Sequence, residues 1–249
     1  VPNASSSPMP QSRQSITKIG DNLPSTKTAT VLNALGSAFD KGNFITGYYG
    51  AEQTRKDIAQ YLTDAGYTVR PGNDATINGL KKINGDDAVF HMTSHGDIGY
   101  SVDSHNDTSA MYGIWTTEKV SKALDSTYKS EFDAEELCYF SAPNTSGVFG
   151  DALEVHYAIT DKFVQHYMKF GNNSLVYITA CSSGSNDAGL FRDAFGVKGA
   201  SVYAGWSTYS NGQAAFYAAR FFFDRVLGLN RVKPIPVATQ RPFEYYLVH

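Results

Sequence analysis

Two stretches of the 249-residue chain end an apolar run on a side chain that can move a proton or attack a carbonyl. One is "AVFHMTSHG", closing on His95 and Gly96; the other is "LVYITACSSG", closing on Ala180 and Cys181. A free thiol with a pKa near 8.5 is only about 3% ionised at pH 7, so a nucleophilic cysteine needs a base. A histidine on a neighbouring loop supplies one, and afterwards it protonates the leaving amine. Glycine after the histidine lets a backbone N–H approach a substrate carbonyl without a Cβ in the way. The N–H groups of Gly96 and Cys181 are therefore candidate oxyanion donors, each worth roughly 3 kcal/mol in a transition state. His95 and Cys181 are the candidate catalytic pair.

Other residues of these types read differently. His91 lies on the same run as His95 with the same side-chain parity, and it is expected to be a satisfied histidine of the sheet or core. Cys138, in "EELCYFSA", lacks a glycine after the strand and reads as structural. Two cysteines make no disulfide framework and no Cys-x-x-Cys site, and a Cys138–Cys181 bridge is the one pairing they allow. Asp97, Asp103, His105 and Asp107 cluster in sequence but do not match a calcium-loop register. "GSAFDKG" is not the dinucleotide-binding Gly-x-Gly-x-x-Gly. Neither a P-loop nor a Gly-x-Ser-x-Gly elbow is present.

The elements that must position the pair follow from the hydrophobic pattern. Strands are predicted over 27–35, 67–71, 87–94, 173–181 and 200–206. Helices are predicted over 51–67, 74–83 (capped by Asp74), 116–126, 160–170, 187–195 and 211–228. The last carries Ala215, Ala219, Phe222, Phe223 and Val226 as its buried stripe. After Gly96 the chain turns polar, and 126–158 is expected to be less regular. Strands separated by helices imply right-handed crossovers and a mainly parallel sheet covered on both faces. In such sheets ligands bind beyond the carboxyl ends of the strands, where His95 and Cys181 both fall.

Composition bounds the rest. A net charge of −3 offers no electrostatic basis for binding nucleic acid or an anionic membrane. No apolar run approaches membrane-spanning length. Residues 1–20 are rich in Ser, Pro and Gln and read as a flexible tail or linker, as in a trimmed secreted chain or an excised segment. Residues 21–230 read as one catalytic domain, and 231–249 as a C-terminal extension and candidate last strand.

The paired pattern, strand then His-Gly and strand then Ala-Cys, resembles the caspase-like clan of cysteine peptidases. That clan includes caspases, metacaspases, legumain, gingipains, clostripain-like enzymes and separase. "TACSSG" resembles the nucleophile turn of legumain and separase, and "GASVYAGWSTYSNGQAAFYAARFFFDRVLG" resembles the strand and helix that follow it in bacterial members. The resemblance implies an α/β fold, specifically a caspase-hemoglobinase-like α/β/α sandwich with a mainly parallel central sheet. It implies a His95–Cys181 dyad, with Gly96 and Cys181 as oxyanion donors. It implies a protein or peptide substrate and no cofactor, with calcium as the alternative. Thr179 stands two before the cysteine, where metacaspases and clostripain-like enzymes carry an acid that lines the specificity pocket. Asp40 is the candidate to supply an acid from another loop. "AGWSTY" resembles the segment that pairs with substrate backbone, so Trp206 and Ser207 are candidate cleft residues. By analogy with exported bacterial members, a secreted or cell-surface location is expected. The rival expectation is a catalytically silent interaction or regulatory module, or a zymogen.

Overall fold

The computed structural model describes residues 24–36, 50–102, 108–143 and 153–233. Its centre is a five-stranded, wholly parallel sheet: β1 (Thr28–Asn33), β2 (Thr68–Val69), β3 (Asp87–Thr93), β8 (Ser174–Thr179) and β9 (Ala200–Ala204), in spatial order β2-β1-β3-β8-β9. Every residue of β3 is buried, as befits a central strand covered on both faces.

Alternation along the strands divides the core in two. Ala29, Val31, Val89 and Tyr177 face α1 (Ala51–Asp64) and α7 (Gly212–Val226), meeting Ile58, Leu62, Ala219 and Phe223. Leu32, Phe90, Met92, Val176 and Ile178 face the other way, toward α2 (Ile77–Leu80), α5 (Asp161–Tyr167) and α6 (Gly189–Val197). The result is a mixed α/β arrangement with helices on both faces of a parallel sheet, compatible with an α/β/α sandwich. No helix among the described residues is long and apolar enough to cross a membrane.

The largest departure from the sequence expectation lies between β3 and β8. The polar stretch after Gly96 is not a loop: it opens with strand β4 (Gly96–Val102) and continues, beyond residues outside the description, as the 12-residue β5 (Thr108–Lys119). The region expected to be less regular contains α4 (Lys129–Asp133), β6 (Leu137–Pro143) and β7 (Leu153–Ile159). These four antiparallel strands close on themselves in the order β4-β5-β7-β6. The expected helix at 116–126 is reduced to α3 (Lys122–Thr127), capped by Ser121, because Thr116–Lys119 finish β5.

The polar residues of β4 and β5 read as loop, and their glycines have a packing role. A Cβ on Gly99 or Gly113 would stand 2.6 or 2.8 Å from the Sγ of Cys138, which fills the space between β4 and β5 from β6. Glycine in a sequence signals a turn; here it permits close approach inside a narrow barrel. Cys138 is fully buried, as expected of a structural thiol, and both cysteines are free, so the bridge is not formed.

Two smaller corrections concern helices. Thr76, not Asp74, caps α2, its hydroxyl accepting from the Gly79 N–H while it donates to Asp74. On α7, Val226 is exposed and Phe222 only half-buried, while Ala215, Ala219 and Phe223 are buried as expected. The buried face includes two charged residues that break the apolar stripe. Arg220 pairs with Asp57 of α1 at 2.7 Å, and Asp224 accepts the N–H groups of Arg231 and Val232. Residues 1–20 and 234–249 lie outside the description, and with them the tail and the candidate last strand.

His91 is a buried histidine of the α7 face, as expected, but it is satisfied at one nitrogen only, since Nδ1 has no hydrogen-bond partner among the described residues. It is wholly inaccessible, edge-on to Phe223 at 5.5 Å, and its Nε2 meets the Thr179 hydroxyl at 3.1 Å. Burial pushes its pKa down from 6.5 to about 3. Between those values the unfolded chain binds a proton at this residue and the folded chain does not, so folding stability is present above pH 6.5 and is lost as the pH falls toward 3. The expected loss is about 1.4 kcal/mol per pH unit across that window. Urea denaturation from pH 7 to pH 3.5 should show a shallower acid slope for His91→Phe than for the native chain; equal slopes would remove His91 from the acid-sensitive groups.

Candidate active site

The β3–β8 register brings the two candidate residues to one place. Thr93 is paired with Thr179, the last pair of the ladder. His95 and Cys181 each lie two residues further on, so they leave the same edge of the sheet side by side. Adjacent strands are about 4.8 Å apart. Both residues line one cavity of about 210 Å³. Its other walls are Leu35 after β1, Ser94, Thr179, Ala180, Ser210 and the first turns of α7 at Gly212, Ala215 and Phe216. This is the carboxyl edge of a parallel sheet, where open α/β folds bind ligands.

The backbone at His95 is held from two sides. The Ser94 N–H donates to the Thr179 carbonyl at 2.9 Å, extending the β3–β8 contact by one residue. The Ser94 hydroxyl lies 2.9 Å from the Trp115 carbonyl, and the Trp115 N–H donates to the His95 carbonyl at 3.1 Å. That last bond makes His95–Trp115 a hydrogen-bonded pair, so the next pair, Gly96–Ile114, is a non-hydrogen-bonded one. The Gly96 N–H therefore points away from β5. A side chain here has no room, because a Cβ would lie 2.2 Å from the Tyr112 hydroxyl and 2.8 Å from the Cys181 carbonyl. The half-buried His95 ring rests against Trp115, with centroids 4.6 Å apart. Burial first, and the charge of His156 second, push its pKa down from 6.5 to about 4. It is thus a neutral base at pH 7.

Cys181 opens a tight turn. Ser182 takes a left-handed backbone with φ of 54°, a conformation that costs of order 1 kcal/mol in a residue with a side chain. The turn is over-determined by a mesh to the segment after β9. The Ser182 N–H donates to Thr208, and the Gly184 N–H to Trp206. The buried Ser183 hydroxyl accepts the Trp206 N–H at 3.0 Å and donates to the Ala180 carbonyl at 2.8 Å. The Cys181 carbonyl is tied down by the Tyr112 hydroxyl at 2.7 Å. Its half-buried Sγ receives the Ser210 N–H at 3.5 Å and lies 3.9 Å from the Ser210 hydroxyl. Full burial pushes the Cys138 thiol up to about 12.

The remaining expected residues separate. Thr179 lines the cavity, buried, with its hydroxyl on His91. Trp206 is buried and does not line the cavity, while Ser207 beside it is exposed. Asp40 lies outside the described residues, as do Asp103, His105 and Asp107. Asp97 is engaged by the Tyr209 hydroxyl at 2.6 Å. Among the described residues no three His, Cys, Asp or Glu side chains group to hold a metal.

Sequence reasoning missed Ser94, Tyr112, Trp115 and Ser210. Ser94 carried the only local signal, a polar residue closing a buried strand immediately before His95. The other three reach the site from segments whose approach depends on the barrel and on the turn into α7. Compared with family models, with curated proteins and with solved structures, the chain matches none.

The fit around Gly96 is directly testable. Gly96→Ala must displace both Tyr112 and the Cys181 backbone, and is expected to destabilise the fold by about 1–3 kcal/mol. A melting temperature unchanged from the native protein would show that the contact has slack.

Proposed function

We propose that this chain is a cysteine endopeptidase of the caspase-like kind, working through a His95–Cys181 dyad. One observation carries the reading: a histidine and a cysteine leave adjacent parallel strands at equal register and line one cavity. The neutral His95 ring takes the proton of the Cys181 thiol as Sγ attacks a peptide carbonyl. A C–S bond forms, and the carbonyl electrons move to oxygen. That oxyanion is met by the N–H of Gly96, which points away from β5, and by the N–H of Cys181. Among the described residues the latter makes no backbone hydrogen bond. The tetrahedral centre collapses and the C–N bond breaks. The departing nitrogen receives the proton from His95 and leaves as an amine. Water, deprotonated by the same ring, then hydrolyses the thioester and restores the thiol.

The surroundings support each step. The Ser210 N–H points at the sulfur and favours its negative charge. The low proton affinity of His95 suits a base that starts neutral, rather than a standing imidazolium. Leu35, Ala215 and Phe216 give the cavity an apolar wall, and Thr179 a neutral floor. With Trp206 buried, pairing to substrate backbone falls to the exposed chain at Ser207. No step calls on a cofactor.

The test combines labelling with turnover. Brief iodoacetamide treatment of the folded protein at pH 7.5 should modify Cys181 and spare Cys138, as read by peptide mass spectrometry. A positional-scanning library of fluorogenic peptides should then be cleaved, with a loss of about 10³-fold or more in Cys181→Ala and His95→Ala. A folded protein whose Cys181 resists alkylation and which cleaves nothing would overturn the proposal and favour a silent binding module.

A further inference from the structure

Behind His95 stands an assembly that the dyad chemistry does not use. His95 packs against Trp115 with planes at 74°. Stacked on the same indole is His156 of β7, with centroids 4.0 Å apart and planes 4° from parallel. The indole is fixed, its Nε1–H donating to the Phe140 carbonyl at 3.0 Å. His156 is only 5% exposed, yet each of its ring nitrogens meets an oxygen. Nδ1 is 2.9 Å from the Thr116 carbonyl, and Nε2 is 3.3 Å from a carboxylate oxygen of Glu154.

A carbonyl and a carboxylate only accept, so both contacts are hydrogen bonds only when both nitrogens carry hydrogen. Glu154 is itself held as the anion, above all by Lys119 at 2.7 Å. A positive imidazolium lying flat on an indole gains a cation–π attraction, strongest where water is excluded.

We propose that His156, acting through Trp115, is the positioning residue of His95. The Trp115 ring is the wall that limits rotation of the His95 imidazole, and the stacked His156 keeps that wall in place. A positive charge on His156 opposes a second positive charge at His95 and adds to burial in lowering the proton affinity of the base. Among the described residues, the charged and titratable groups facing His156 are Glu154 on its own strand and Lys119, its register partner on β5; β6 presents Phe140. Among the described residues, Cys181, just after β8, lines the same cavity as His95, and Asp97, two residues along β4, is occupied by Tyr209.

This inference rests on His95 being the base of the proposed reaction, but its test reads the ring directly. Histidine-labelled full-length protein is titrated from pH 3 to pH 8 by NMR, with His95 assigned by comparison with His95→Gln. In His156→Gln the His95 midpoint should rise by about half a unit or more, roughly a threefold gain in proton affinity. His156→Arg keeps the charge, the planar stack and donors for both oxygens, and should hold the native midpoint. If His156→Gln does not fold, Glu154→Gln at the rim serves instead: it removes the anion that offsets His156 and should lower the His95 midpoint. An unmoved His95 midpoint in a folded His156→Gln or Glu154→Gln overturns the proposal. That result stands whether or not peptides are cleaved, so failure here is distinguishable from failure of the peptidase reading.

Discussion

The pairing of β3 with β8 is the contact on which the rest of the molecule depends. It sits at the centre of the sheet, joins segments more than eighty residues apart, and sets the Thr93–Thr179 register. A slip of one residue would turn every side chain of a strand to the opposite face. Phe90 and Met92 would leave one core for the other, and His95 would lose its place beside Cys181. Register is therefore set by burial on both faces, and the geometry of the site is a consequence of packing. Ser94 extends the lock past the end of the ladder by donating to Thr179.

Around that edge the chain is held by several independent layers. The closed four-strand barrel supplies Tyr112 and Trp115, one bonded to the Cys181 carbonyl and the other packed on the His95 ring. The segment between β9 and α7 supplies Ser210 to the sulfur and a hydrogen-bonded mesh to the Cys181 turn. The left-handed Ser182 persists because that mesh allows no relaxed alternative. Rigid support of this kind is what a two-residue dyad requires, since a small misplacement of base or nucleophile costs rate steeply.

The buried His91 of β3 and the half-buried His95 just after it show how environment divides one residue type into two roles. His91 lies inside the α7-side core against Phe223 and Tyr177, with a neighbouring threonine as its hydrogen-bond partner. His95, four residues later, reaches the cavity and meets an aromatic wall backed by a second imidazole. Both rings are kept neutral, the first by burial alone and the second by burial together with a nearby charge.

Legible from the residues alone were the alternation of strands and helices outside 96–159, the parallel sheet, and the coincidence of His95 and Cys181 at strand ends. These are readable because burial on two faces leaves continuous apolar runs, and because a turn after a strand leaves glycine and small polar residues. The sequence also set Cys138 apart by its context and marked His91, inside the apolar run four residues before His95, as structural. Tertiary structure alone decided that β4 to β7 close into a barrel, in which Gly99 and Gly113 make room for Cys138 between them. It alone decided that Trp206 is buried and that Trp115, Tyr112 and Ser210 converge on the dyad. The physical reason is the range of the information. Periodicity records which face of a segment is buried, whereas a site is built by contacts between segments far apart in the chain, whose meeting depends on register and closure.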